Sequence, residues 1–292
     1  MDTVTQKGYA KINLHLDITG RTPDGYHLVD TVMQSISLCD DITITQRNDE
    51  NITVSCNIEG VPADDRNLAV KAARLFCEKT GLVLGMDIHI NKRIPMAAGM
   101  AGGSADAAAV LRGINLLCDG ILSLDELCAL GSRLGADVPF CIVCGSAYAD
   151  GKGDVLHDFP SMPDCYIVVA CGGDGVSTPW AYGELDRLYN GFYEDSGYKS
   201  RGIKALSKAI ERRDIDEVAG AMYNIFEEPI LSERPVAKAI RKTMLECGAI
   251  GAMMSGSGPS VFGIFTDKAA AQECADKIKN GGSFADVCEP VC

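Results

Sequence analysis

The stretch from Lys92 to Asn115, KRIPMAAGMAGGSADAAAVLRGIN, constrains this chain more than any other, because glycines and a serine run straight into an Ala-rich helix. The segment before it, MDIHI, alternates apolar Met86, Ile88 and Ile90 with polar neighbours, so the local order reads strand, glycine loop, helix. A helix start leaves backbone N–H groups unpaired and carries roughly half a positive charge, and small residues let an anion approach that closely. The segment therefore either cradles a phosphate or serves only to reverse the chain. It is not G-x-x-x-x-G-K-[ST], since no Lys follows the glycines, which argues against a P-loop nucleotidase.

A chain of 292 residues, 47% hydrophobic and 23% charged, has the composition of a soluble globular protein of two medium domains. The formal net charge of -13 argues against nucleic-acid partners and against an anionic membrane surface. An acidic protein that handles phosphates must gather positive potential locally, because charges beyond ~8 Å are mostly screened at physiological salt. The N-terminus lacks a signal-peptide pattern, and apolar runs such as YIVVACGG are too short to span a bilayer, so a cytoplasmic location is expected. Thirteen cysteines then read as reduced thiols rather than a disulfide framework. Cys141 and Cys144 have C-x-x-C spacing, but no second such pair accompanies them and their surroundings are apolar, so they read as core packing. No metal-ligating residues are singled out.

Residues 8–18 alternate Ile12, Leu14, Leu16 and Ile18 with Lys11, Asn13, His15 and Asp17, a half-buried strand that displays Lys11 and Asn13 side by side on a wet face. The turn TPDGYH follows. The alternating runs 41–45 and 51–58 flank a polar tip, QRNDE, and read as a hairpin. Helical spacing from Asn67 to Lys79 stops at Gly81. Ser123 stands three residues before Glu126, a capping box opening a helix to Leu134 that Gly135 ends. The chain then turns through Ala136-Asp137-Val138-Pro139 into a buried strand. Two prolines in HDFPSMPD place a domain boundary there, giving domains 1–158 and 159–292. Beyond it the pattern gives a strand (165–171), a loop (172–199), helices near 201–212, 214–226 and 233–246, two short strands in GAMMSGSGPSVFGIF, a helix (267–280) and a strand (285–291). Strands and helices interspersed in both halves favour an α+β fold over a doubly wound sheet.

A phosphotransferase needs a phosphate cradle, a cation near the transferring group and a carboxylate in reach of the attacking hydroxyl. Lys11 with Asn13, the 99–106 loop, Asp137, and Gly256-Ser257-Gly258-Pro259-Ser260 supply a candidate for each. Taken singly, each has a plain structural reading, as a solvated strand residue, a turn or cap, or a hairpin loop.

Three motifs, near the N-terminus, in the central glycine loop and in a C-terminal glycine segment, occur here in the order that the GHMP small-molecule kinases carry them, and the chain resembles that family from about residue 8 to 266. The resemblance implies a two-domain architecture, an N-terminal domain like ribosomal protein S5 and a C-terminal ferredoxin-like domain. The combination of RTPDGYH with GADVPF is similar to the branch that phosphorylates, with ATP, the 2-hydroxyl of a methylerythritol bearing a cytidine diphosphate, in isoprenoid precursor formation. In that branch the matching Asp137 is the base, and Lys11 pairs with it and stabilises developing charge. Asn13 matches a partner of the methylerythritol end, and Tyr26 and His27 match the cytosine contacts. Tyr182, with Trp180 as rival, is the candidate second stacking ring. Asn67 matches a residue near the adenine pocket, and Pro95, Gly99, Gly102, Gly103, Ser104, Ala105 and Asp106 match the ATP loop. Gly256, Ser257 and Gly258 match the C-terminal glycine motif. Mg²⁺ is expected with ATP, and a monomer or homodimer as the assembly.

The common family loop reads P-x-G-x-G-L-G-G-G-S-S-D, whereas this chain has Ala97, Ala101 and Ala105 at its third, seventh and eleventh positions. The first two are harmless where φ is negative. Ala105 lacks a hydroxyl that could reach phosphate or Mg²⁺, so altered metal contact with retained activity is expected. Homoserine, mevalonate and sugar kinases share the glycine loop and the last motif, and only PDGYH with GADVP argues against them. A regulator that has lost catalysis is opposed by the presence of both Lys11 and Asp137. A dinucleotide-dependent oxidoreductase fits poorly without a clean G-x-G-x-x-G.

Overall fold

Two long strands, β1 (Thr3–Arg21) and β2 (His27–Arg47), run through the computed structural model, which describes residues 2–192 and 196–292. Both pass from one of two compact units into the other: the first holds the chain up to residue 10, 38–96 and 101–144, and the second holds 11–37, 97–100 and 145–292. The fold is α+β, as the mixed pattern implies.

In the first unit, β3 (Ile52–Cys56), α1 (Leu68–Thr80) and β4 (Gly85–Asn91) follow β2. The expected hairpin between 41–45 and 51–58 does not form. β4 lies between the two runs, antiparallel to β2 with Ile42 opposite Ile90 and Ile44 opposite Ile88, and parallel to β3 with Val54 opposite Ile88. The reason is apolar matching: Ile42, Ile44, Ile88 and Ile90 are all buried, and the parallel partner requires the crossover that α1 supplies. Asn67 caps α1 by accepting from the Ala69 N–H, and Gly81 ends it in the left-handed region. α2 (Gly102–Leu117) buries Ala105, Ala107, Ala108, Ala109 and Leu111. Its small residues allow close approach: a Cβ on Gly8 of β1 would stand 2.8 Å from the Ala105 carbonyl oxygen. α3 (Leu124–Ser132) opens with the capping box read from Ser123 and Glu126. The expected buried strand after Pro139 is instead a short helix, α4 (Val138–Val143), with Pro139 in its first turn, where a missing N–H costs nothing. Cys141 is buried on it, and the described cysteines form no disulfide.

In the second unit, β5 (Ser146–Asp150) and β6 (Val155–Asp158) make a hairpin across the glycine-rich bend, with β5 antiparallel to β2. β7 (Tyr166–Cys171) follows. The expected loop 172–199 contains a helix, α5 (Thr178–Leu188), which buries Ala181 and Leu185; residues 193–195 of that segment lie outside the described residues. α6 (Lys204–Glu211) and α7 (Ile215–Ala221) come next. The helix expected over 214–226 breaks there into a two-residue strand, β8 (Tyr223–Asn224), parallel to β1, and a further helix, α8 (Glu227–Glu233). α9 (Pro235–Glu246), β9 (Gly251–Met254), β10 (Val261–Phe265), α10 (Lys268–Asn280) and β11 (Phe284–Cys288) complete the chain. Their antiparallel sheet has the order β11-β7-β10-β9. Val168, Ala170, Val261 and Phe265 form a core with Ile240 and Met244 of α9 and Cys274 and Ile278 of α10. Among the described residues, no helix is long and apolar enough to cross a membrane.

Candidate active site

The polar face of β1 is not wet. Lys11 is 4% and Asn13 3% exposed, and His15 and Asp17 are buried beside them. β8 covers this part of the strand through its pairing at His15 and Leu16, and the Tyr198 hydroxyl, Ser200 hydroxyl and Arg201 N–H all donate to the Asp17 carboxylate. Burial also pushes the His15 imidazole down, which favours its neutral form. A buried ammonium must be paired. Lys11 Nζ donates to Asn13 Oδ1 at 2.7 Å, Asn13 Nδ2 donates to the Thr31 hydroxyl at 2.9 Å, and Thr31 donates to the His15 carbonyl at 2.7 Å. This relay fixes the Lys11 head group.

Two glycine-rich segments, far apart in sequence, meet beside that relay. Gly99 has φ +77°, and a Cβ there would stand 2.3 Å from the Ser255 carbonyl oxygen. The Ser255 hydroxyl donates to the Gly99 carbonyl, and the Ser260 N–H to the Ala98 carbonyl. The Lys11 N–H donates to the Met100 carbonyl. A Cβ on Gly256 would lie 3.7 Å from Asn13 Oδ1. Asn224 of β8 braces the second segment, its amide nitrogen donating to the carbonyls of Met254 at 2.7 Å and Gly256 at 2.8 Å. Ser257 lies 3.2 Å from the Thr178 hydroxyl. Ala97 and Ala101 have φ +51° and +57°, so the expectation of harmless negative φ is corrected: both sit in the left-handed region, at a cost of roughly 1–2 kcal/mol each relative to a right-handed site.

The nucleoside candidates also share the second unit. Tyr26, 58% exposed, carries the Lys152 ammonium 3.7 Å from its ring centroid. His27 Nε2 lies 2.7 Å from Asp186 Oδ1, and Arg21 pairs with the other carboxylate oxygen at 3.1 Å. The His27 ring lies 4.6 Å from that of Tyr182, which in turn meets Phe226 edge-on. Trp180 instead lies beneath the Arg234 guanidinium. Of the two rival rings, the structure brings Tyr182 to His27.

The remaining candidates belong to the first unit. Pro95 precedes the loop, and no side chain caps α2, so the N–H groups of Gly102, Gly103 and Ser104 in its first turn face no side-chain acceptor of their own helix. Ala105 is buried against Gly8. The Asp106 carboxylate points inward to Lys92 Nζ at 2.6 Å, which also donates to Asp40 at 2.6 Å. Burial raises the Asp106 carboxyl to about 7, with Lys92 opposing and Asp40 adding to the shift. Burial works against the Lys92 ammonium, yet the two carboxylates outweigh it and its pKa is raised. Asn67 spends both ends of its amide on its own loop, accepting from Ala69 and donating to the Pro62 carbonyl. Asp137 is the N-cap residue of α4 and makes no side-chain cap bond to it. Asp186, Asn224, Thr31 and Asp40 were not singled out from sequence, since each acts on a residue distant in the chain. Lys92 had a signal, a charge directly after an apolar strand.

A buried ammonium on a strand, an uncapped helix start and a paired set of glycine turns are the parts of a small-molecule phosphotransferase. Family models agree: residues 67–145 match the GHMP kinases N terminal domain and residues 206–283 the GHMP kinases C terminal domain. The chain belongs to the GHMP kinase family. Curated relatives include proteins named 4-diphosphocytidyl-2-C-methyl-D-erythritol kinase from Lachnoclostridium phytofermentans, 39% identical over 96% of this chain and 94% of the relative, and from Gloeobacter violaceus, 42% identical over 99% and 95%. A crystal structure of 4-(cytidine 5'-diphospho)-2C-methyl-D-erythritol kinase superposes with TM-score 0.81 at 29% identity, covering 99% of this chain and 100% of that one. A homoserine kinase from Cytophaga hutchinsonii, TM-score 0.75 at 18% identity over 100% and 95% of the two chains, shares the fold.

Proposed function

We propose that this kinase transfers the γ-phosphoryl group of ATP to the 2-hydroxyl of 4-diphosphocytidyl-2-C-methyl-D-erythritol, the step named for its relatives, which makes an isoprenoid precursor. The observation that carries this reading is the buried Lys11–Asn13–Thr31 relay against the Gly99–Gly256 juncture, in the unit that also holds Tyr26, His27 and Tyr182. ATP is taken as its Mg²⁺ complex, with its phosphates at the start of α2, where N–H groups and the helix dipole favour anions. Asp137 accepts the hydroxyl proton as the phosphoryl group is attacked, and the Lys11 ammonium stabilises charge as it develops. Tyr26 stacks on the cytosine. Asp186 holds His27 Nε2, which fixes the imidazole that reads the polar edge of the base. The domain boundary at 158/159 falls between the residues matched by the two family models. An assay of ADP formed from ATP with this substrate, beside mevalonate and homoserine, tests the reading: turnover with the cytidine compound alone supports it, and preference for either control overturns it.

A further inference from the structure

Beneath the first turn of α2 lies a buried cluster that the proposed chemistry does not use. Asp40 is fully buried on β2, Lys92 follows β4, and Asp106 is on α2. Asp40 Oδ1 accepts from the N–H groups of Arg93 at 2.5 Å and Ile94 at 2.8 Å, so one carboxylate is tied to the segment leading into the glycine loop. Lys92 bridges it to the other carboxylate, on the helix that follows the loop. The Lys92 ammonium would stand 3.0 Å from a Cβ on Gly102, directly under the helix start. Asp106 Oδ1 is buried and has no hydrogen-bond partner among the described residues. Around it, β1 faces the turn with Gly8 and α1 with Leu68, and the charged groups beside Asp40 are the Arg93–Asp41 ion pair and Lys7 of β1, both of which act on the neighbouring Cys39 thiol.

With both carboxylates ionised, the cluster carries one net negative charge immediately behind a helix terminus that is to receive phosphate. Burial keeps that charge little screened, so it opposes the anion that the helix dipole attracts. One proton on the cluster removes the conflict. We propose that Asp106 positions and tunes the phosphate cradle by taking up a proton when nucleotide binds, acting through its ion pair with Lys92 and Asp40. This rests on the assignment of α2 as the ATP phosphate site. The half-satisfied carboxylate and its raised pKa both favour the proton landing on Asp106 rather than on Asp40, whose oxygens are fully engaged.

Calorimetric titration of the full chain with Mg·ATP, without acceptor alcohol, in two buffers of different ionisation enthalpy reads the protons taken up. Burial already raises the Asp106 carboxyl to about 7, and a further rise in the complex gives uptake of a fraction of a proton near neutral pH and a Kd that increases from pH 6 to 8. Asp106→Asn abolishes the excess uptake and flattens the Kd profile, the nucleotide's own titration being common to both proteins and cancelling in the difference. Burial is the larger influence raising Asp106, and Asp40→Asn removes the smaller one, so the uptake moves to lower pH. Equal uptake in the wild type and Asp106→Asn overturns the proposal. A flat wild-type profile between pH 6 and 8 overturns it as well, whether or not either variant folds. Absence of Mg·ATP binding to the wild type is a different failure, since it removes the ATP site itself and the proposal with it.

Discussion

Asp137 enters α4 as its N-cap residue without spending its carboxylate on the helix N–H groups. Asp137→Asn therefore removes a proton acceptor and no helix cap. Turnover falls by roughly 10²- to 10⁴-fold while nucleotide binding stays nearly intact. Steady-state kinetics at saturating substrate check this, and full activity in the Asn variant would remove Asp137 from the mechanism. Lys11 is a different case, because its ammonium is buried and held by Asn13. On the proposed role of Lys11, Lys11→Met lowers turnover far more than ATP affinity, since the loop N–H groups remain while the charge proposed for the transferred phosphoryl group is gone. Lys11→Arg does not restore it. A planar guanidinium is larger than the space an ammonium fills at 2.7 Å from Asn13 Oδ1 and aims its donors differently. An Arg variant with near wild-type turnover would reduce Lys11 to generic charge. The residue types were legible in sequence, but burial was not: period-two alternation marks a second face without saying what lies on it, and β8, two residues long, gives no signal of its own.

At the scale of elements, the ends of helices were read well because caps act within four residues. Asn67, Gly81 and the Ser123–Glu126 box stand where local chemistry puts them. Partners of strands were read less well, since nothing local distinguishes a hairpin over 41–58 from two strands separated by β4, and only the match of Ile42 and Ile44 to Ile90 and Ile88 decides it. The run after Pro139 was misread for a related reason, in that a short apolar stretch has no period to tell a strand from a buried helix. The glycine loop shows what tertiary contact adds. Ala97 and Ala101 tolerate positive φ, whereas Gly99 cannot accept even a methyl group, because its backbone lies against Ser255. Gly99→Ala forces the 97–100 and 255–260 segments apart, in addition to its unfavourable φ. The expected loss is roughly 1–3 kcal/mol of stability together with most of the activity. Ala101→Gly, by contrast, relieves a strained position and leaves melting temperature unchanged or higher, the gain of roughly 1–2 kcal/mol being partly offset by about 0.5–1 kcal/mol of added chain entropy. Thermal melts of the two variants check the pair, and a Gly99→Ala protein as stable and active as the wild type would refute the backbone juncture.

For the whole molecule, 27 basic against 40 acidic side chains set a field that opposes anionic ligands, and the candidate site answers it only locally. Its means are a buried ammonium and a helix terminus, both effective over distances that salt screens little. The sequence order of the motifs conveyed the family. It did not convey that residues 11–37 and 97–100 join the C-terminal half in one unit, because that grouping depends on contacts such as Ser260 to Ala98 and Ser35 to Gly145, which link residues more than 100 positions apart. The nucleotide reading has a consequence for the entire chain, since a ligand that binds only the folded state stabilises it by mass action. At a concentration of about 100 times Kd the gain is roughly 2.7 kcal/mol, which for a chain of this length raises the melting temperature by roughly 5 °C. Mg·ATP and CDP should each produce such a shift at saturation, and together a larger one, because the phosphate cradle and the Tyr26–His27–Tyr182 group are separate sets of residues. NAD should produce little, as the loop lacks the glycine spacing of a dinucleotide turn. A thermal scan with the three ligands decides between these readings: a shift with NAD equal to that with ATP would place a dinucleotide in the loop, and a shift with ATP but none with CDP would leave a kinase whose acceptor carries no cytidine.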